Sequence, residues 1–284
     1  MGARKILAAA TNGSRILASG MMLLASVGTP APAATSGAVT LQATYMIAIS
    51  GISIGRADVK ARFTDKGYAA AISGSTYGVS RFVSDARATL AGSGRILGNS
   101  IQPASYNLET VESGLETSVS MTMRGGAIVG LQAIPNLPKA SDRVPVTTAS
   151  RTNVVDPVGA FVVAMDKASD TPDGNRVCNR VVHVFDGWKR FDIRLSYKDT
   201  RNGDGNTKVL VCAARYVPVA GHRTGDDSVT YMADNQRLEI WLSPVAGTRY
   251  LVPSRILIGT QVGDLVITAR SFDVTDSAQQ ASAG

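Results

Sequence analysis

The sequence is poor in the residues that do most enzyme chemistry: two cysteines, two histidines and two tryptophans stand among 284 residues, and aromatics make up 6%. With so few soft ligands, a zinc site would have to draw three or four converging ligands from His183, His222, Asp186, Asp192, Cys178 and Cys212, yet no C-x₂-C or H-x₃-H pair occurs. No metal site and no cofactor are expected. Long helical periods are also scarce, which excludes a helical bundle. Lys and Arg are scattered singly, with no basic stripe for a nucleic acid.

The longest apolar run is Ile16–Val27, which is too short to span a bilayer as a helix. It follows Arg4, Lys5 and Arg15 and precedes an Ala31-Pro-Ala33 box, the order of a secretory signal cleaved near Ala34. Residues 1–34 are therefore expected to be a signal peptide, which places the mature chain in the periplasm with no transmembrane segment. The segment holds three basic residues and no acid, so net charge falls from +7 to +4 on its removal. In an exported chain, Cys178 and Cys212 suggest a disulfide, with two buried thiols as the alternative. In a simple meander these cysteines would lie on first and third strands, roughly 10 Å apart. That is too far to bridge, so a bond requires curling, a strand-end position or another strand order.

From Val39 the dominant period is two. The runs VTLQATYMIAI, ISIGRADVKARF, YAAAIS, LETSVSMTM, AIVGLQAI, NRVVHVF, WKRFDIRLSY, KVLVCAARYVPV, SVTYM, LEIWLSP, RYLVPSRILIGT and LVITARSFDV are separated by Gly, Ser, Asp and Asn. About 11–13 strands at this spacing predict one all-β domain over 35–273, a large curved antiparallel sheet, open barrel or β-spiral. Residues 78–90 fit a short helix or a bent strand. VVDPVGAFVVAMDKA predicts a helix over 157–168, capped by Asp156, started by Pro157 and packed on the concave face through Val158, Phe161, Val162 and Met165. PNLPKASDRVPVTTASR (135–151) reads as an extended surface connection, and 274–284 as a disordered tail.

Three stretches invite a chemical reading. GISIG (51–55) matches a hydrolase elbow with Ser53 as nucleophile, but strands flank it on both sides, so a hairpin or bulge fits better. DTRNGDGN (199–206) resembles a calcium loop, but Val211 falls where a bidentate Glu is required, so a hairpin loop explains it. CNRVVHVFDGWKRFDIRL (178–195) collects Cys178, His183, Asp186 and Asp192. Read as a hairpin with a two-residue Asp186-Gly187 turn, it sets Phe185 opposite Trp188, His183 opposite Arg190 and Val181 opposite Asp192. His183, Arg190, Asp192 and Trp188 then share a polar face, while Cys178, Val182, Val184, Phe191, Ile193 and Leu195 share the apolar one. That alternation disfavours a Cys–His couple, because the two side chains point to opposite sides. A His183–Asp192 couple remains, with no nucleophile nearby in sequence.

The ordered combination GISIG, Pro103-x-x-Tyr106, RVPV (143–146), DPVGAF (156–161), VFDGWKRFD (184–192), VCAARYVPVAGH (211–222) and VPSRI (252–256) resembles the bacterial family called domain of unknown function 3108. The resemblance implies exported envelope proteins of Gram-negative bacteria, rich in antiparallel strands, with no established reaction and no catalytic residues to transfer. The architecture also looks like β-spiral envelope-integrity proteins and half-barrel lipoprotein carriers. The expectation is a non-catalytic envelope protein that holds a lipid, a glycan or a protein partner in a sheet trough or at a sheet edge. The alternative is a hydrolase-type enzyme on cell-wall or lipid substrates, using His183 and Asp192 with His222 brought alongside.

Overall fold

The computed structural model describes residues 37–77 and 85–276. The expected signal segment, the stretch 78–84 and the tail from 277 onward lie outside the described residues. The N-terminal half is a meander of seven strands: β1 (Val39–Ile49), β2 (Ile52–Thr64), β3 (Gly67–Thr76), β4 (Ala86–Leu97), β5 (Ser100–Glu112), β6 (Leu115–Arg124) and β7 (Ala127–Ile134). The C-terminal half adds β8 (Val163–Ala164), β9 (Arg180–Phe185), β10 (Arg190–Asn202), β11 (Lys208–Ala220), β12 (Leu238–Pro244), β13 (Tyr250–Thr260) and β14 (Gly263–Asp276).

These fourteen strands form one antiparallel sheet in the order β7-β6-β5-β4-β3-β2-β1-β14-β13-β12-β11-β10-β9, with β8 beside β13. One strand more is present than the upper expectation. The two halves join where β1 pairs with β14, from Val39↔Asp276 to Ile49↔Leu265. That pairing makes one domain of the two β-runs, and it orders β14 to Asp276, three residues into the stretch expected to be disordered. The sheet does not close: β7 and β9 are its two edges. Register shifts at Ile47/Ala48, Ser93/Gly94 and Trp241/Leu242 bend the long strands, as bulges do. The GISIG turn follows the first of these, with Ser50 and Gly51 at positive φ, so its hairpin reading holds.

Alternation builds the core. Leu41, Ala43 and Tyr45 of β1 are buried, as are Phe63, Tyr68, Tyr106, Val119 and Met121 from the same face of the strands that follow. Tyr250 and Val252 of β13 and Phe185 of β9 join them from the other arm. Phe63 stacks on Tyr250 with ring centroids 5.0 Å apart, and the Tyr45 hydroxyl donates to the Pro253 carbonyl at 2.6 Å. A second core gathers around Cys178, Cys212, Leu210, Leu242 and Leu251.

Three expectations are corrected. The helix predicted over 157–168 is a single turn, α1 (Pro157–Ala160), followed by β8. Val162, Val163 and Ala164 are all buried in succession, which an amphipathic helix cannot achieve but an extended chain between two surfaces can. Pairing of Leu251 with Val163 and Tyr250 with Ala164 completes the extended stretch. SVTYM, predicted as a strand, lies in α3 (Asp227–Asp234). Asp226 caps that helix through the N–H groups of Ser228 and Val229, at 2.9 and 3.4 Å, and this local capping overrides the β-branched residues. Cys178 sits at the end of a short helix, α2 (Gly174–Cys178), instead of on a strand.

Candidate functional site

Because α2 lies over the sheet, Cys178 reaches Cys212 on β11 directly, with Cα atoms 5.4 Å apart and the disulfide formed. The meander objection is thereby removed: the two cysteines are not on alternate strands of a flat sheet.

The hairpin of β9 and β10 keeps the predicted faces but not the predicted turn. Phe185 pairs with Arg190, Val184 with Phe191 and His183 with Asp192, so the register is two residues further on and the loop has four residues. The Asp186 carboxylate accepts the N–H groups of Trp188 and Lys189 at 2.9 and 2.7 Å, and the Asp186 N–H donates to the Lys189 carbonyl at 3.1 Å. These bonds favour the wider loop, with Gly187 at φ +108°. A two-residue shift preserves parity, which is why the faces survive. Trp188 does not pair with Phe185; its indole donates to the Pro135 carbonyl at 2.8 Å and ties the loop to the end of β7.

On the polar face, Asp192 accepts from Arg190 Nε at 3.0 Å and bonds His183 Nδ1 at 2.8 Å. His222 joins neither: its carbonyl accepts the Val144 N–H at 3.0 Å, and its buried Nδ1 has no partner among the described residues. Ser53 lies on β2, with its hydroxyl on the Met46 sulfur at 2.9 Å. Among the described residues no metal-ligating cluster occurs.

The opposite face has a different character. Phe191, Ile193 and Leu195, which alternation assigned to the core, are only half-buried and line a chamber of about 290 Å³ with Ala214, Tyr216 and Ile240. A second chamber of about 180 Å³ lies over Leu41, Ile47, Val59 and Ile72 on the N-terminal arm. Phe161, Pro253, Ile256 and Ile267 line both, so the chambers adjoin as one apolar trough with the Phe161 ring between them. Burial beside this apolar surface pushes the Tyr45 phenol up to about 12. A broad polar depression of about 690 Å³ occupies the other face of β1 to β5, where Gln42, Asp58, Lys60 and Asn107 alternate with the core residues.

Asp156 holds the segment that carries Phe161. It is fully buried, and its Oδ1 accepts the N–H groups of Val158 and Gly159 at 2.8 and 3.0 Å, as its capping role predicted, with Pro157 in the first turn. Among the described residues Oδ2 has no hydrogen-bond partner, nor does the Tyr68 hydroxyl. Both crowd Gly159: a Cβ there would lie 2.7 Å from the hydroxyl and 3.0 Å from Oδ2. Desolvation raises the Asp156 carboxyl to about 6 and, with the Asp156 charge, raises the phenols of Tyr68 and Tyr106. Tyr68 was absent from the sequence candidates. Pro103, Tyr106 and DPVGAF carried a family resemblance without a role, and here they meet.

A third cavity, a cleft of about 430 Å³, runs along the free edge of β9 from Arg180 to His183 and past the 159–163 segment. Arg180 was not singled out from the sequence, since a lone arginine on a strand carries no motif. Its Nε donates to the Val177 carbonyl at 2.6 Å, and burial lowers its pKa from the ordinary arginine value.

The pattern described as "Protein of unknown function (DUF3108)" matches residues 42–270. No curated protein matches the chain. Among solved structures, a beta-barrel-like protein of domain of unknown function DUF1849 from Brucella abortus is similar at 10% identity, with 84% of this chain and 98% of that chain covered. The TM-score is 0.45, and the likeness carries no functional argument. No described helix is long and apolar enough to cross a membrane.

Proposed function

The chain belongs to the DUF3108 family of proteins of unknown function, and on that premise, which supplies no reaction, we propose a non-catalytic binding protein of the cell envelope that holds the hydrocarbon chain of a lipid in the apolar trough. The observation that carries this reading is the pair of adjoining chambers, about 180 and 290 Å³, whose lining is almost wholly apolar and which β-alternation leaves unfilled. Filling such a space with methylenes is favourable by about 0.8 kcal/mol for each one buried. Phe161, 37% exposed and lining both chambers, is placed to stack on a chain. The secretory pattern of the first 34 residues supports a periplasmic location.

The hydrolase reading draws support from the His183–Asp192 pair, which has the base-and-orienter geometry such enzymes use. Among the described residues no hydroxyl or thiol is hydrogen-bonded to His183, and Asp192 is shared with Arg190. The envelope-binding reading therefore stands first. Its test is native mass spectrometry of the protein released from its own periplasm without detergent. A mass excess removed by organic extraction and identified as lipid supports it; a consistently bare chain, with no envelope phenotype on gene deletion, counts against it.

A further inference from the structure

The cleft beside β9 differs in chemistry from the trough it adjoins. Among its lining residues are Arg176, Arg180 and His183, and no Asp or Glu. Arg176 is bound to Asp166 at 2.7 Å outside the cleft, but no acid among the described residues pairs with Arg180, and its two terminal nitrogens find no acceptor there. A half-buried guanidinium with its terminal nitrogens free can meet a carboxylate or phosphate through two charge-assisted hydrogen bonds.

Backbone donors converge on the same place. The Val155 N–H donates to the His183 carbonyl, and the Phe185 N–H to the Val155 carbonyl, so the odd residues of β9 turn their polar groups toward this edge. Val155 is a single bridge, so among the described residues the edge N–H groups of Val181 and His183, two residues that line the cleft, have no backbone partner, as on any strand edge. His183 Nε2 is the free ring nitrogen, since Nδ1 is held by Asp192.

The cleft and the trough share walls. Ala160, Val163 and Val182 line both the cleft and the larger chamber, and Val162 lines the cleft and the smaller one. Resting on the trough reading above, we propose that the occupant is a single-chain anionic amphiphile, its carboxylate or phosphate bound by Arg180 and the β9 edge while its alkyl chain lies in the trough. Arg180 selects the charge, the edge N–H groups fix the head, and Ala160, the smallest of the shared wall residues, is where the alkyl chain would cross from the cleft into the trough.

The test compares ligands that differ only in the head. Displacement of a bound hydrophobic fluorophore by palmitate, by cetyl alcohol and by lysophosphatidic acid is measured on the wild-type protein, on Arg180→Gln and on Arg180→Lys, each checked by circular dichroism and thermal unfolding. Palmitate or lysophosphatidic acid is expected to bind at least tenfold more tightly than cetyl alcohol, and the tighter of the two tells a free fatty acid from a phosphate-headed lipid. Arg180→Gln removes that advantage and leaves cetyl alcohol unchanged; Arg180→Lys, which keeps the charge, retains most of it. Equal binding of all three heads, or an equal loss of all three in Arg180→Gln, overturns the head-group assignment and leaves the trough standing. Failure of every ligand to displace the probe overturns both.

Discussion

Replacing Asp156 by Asn is expected to stabilise the protein at neutral pH and to flatten part of its stability profile. The carboxyl is fully buried, is met by two backbone N–H groups and no cation, and titrates at about 6 against an ordinary 3.8. Because the folded value lies above the unfolded one, the folded chain holds the proton where the unfolded chain has lost it. The Asp156 contribution to stability is therefore fully present below pH ~4, is lost as pH rises to ~6 and stays absent above that. A shift of roughly two units corresponds to about 3 kcal/mol. Asn keeps an oxygen for the Val158 and Gly159 N–H groups and places its amide nitrogen beside the unpartnered Tyr68 hydroxyl, so α1 remains capped. The gain at pH ~7.5 is expected to be about 1–3 kcal/mol. The assay is urea unfolding of both proteins across pH ~4 to ~8, read as the difference between their profiles, which cancels contributions from other groups such as the half-buried Asp186. Parallel profiles, or a variant less stable at every pH, refute the reasoning.

Reduction of the Cys178–Cys212 disulfide, which closes a loop of 34 residues, is expected to cost about 4 kcal/mol in the chain-entropy model and to lower the urea midpoint in proportion; an unchanged midpoint contradicts this. Gly159→Ala, whose new methyl meets the Tyr68 hydroxyl at 2.7 Å and Asp156 Oδ2 at 3.0 Å, is expected to destabilise by about 1–3 kcal/mol. The same substitution paired with Tyr68→Phe recovers part of that loss if the clash is its cause.

Much of the sheet was legible because period-two alternation states which face is buried. The bounds of β1, β7 and β12 coincide with the runs VTLQATYMIAI, AIVGLQAI and LEIWLSP. β4 and β5 escaped, since ARATLAGSGRIL is rich in glycine and small residues and SIQPASYNLETVE carries a proline. Pro103 is tolerated there because it sits opposite Gly94, where the register shifts. SVTYM and 157–168 failed for opposite reasons: an aspartate cap rescued a helix from strand-like residues, and tertiary burial on both sides stretched out helix-like ones. Of the site, the two faces of the β9–β10 hairpin and the Asp156 cap were readable locally. That an unclosed sheet leaves a trough was expected; which residues line it was not readable, because its walls come from β1 to β3 at one end of the chain and β9 to β14 at the other, and only the curl of the sheet brings them around Phe161. Nor was the cleft, since its donors include backbone groups that no residue type announces.

The central claim, that the trough exists to hold a hydrocarbon chain, is tested most directly by filling it. Ile256 lines both chambers, and Ile256→Trp places an indole where a ligand chain would lie. Titration of the wild-type protein and the variant with a hydrophobic fluorophore, with circular dichroism confirming the fold, is expected to show saturable binding that weakens at least tenfold in the variant, about 1.4 kcal/mol or more. Saturable binding of equal strength in both proteins would contradict the account.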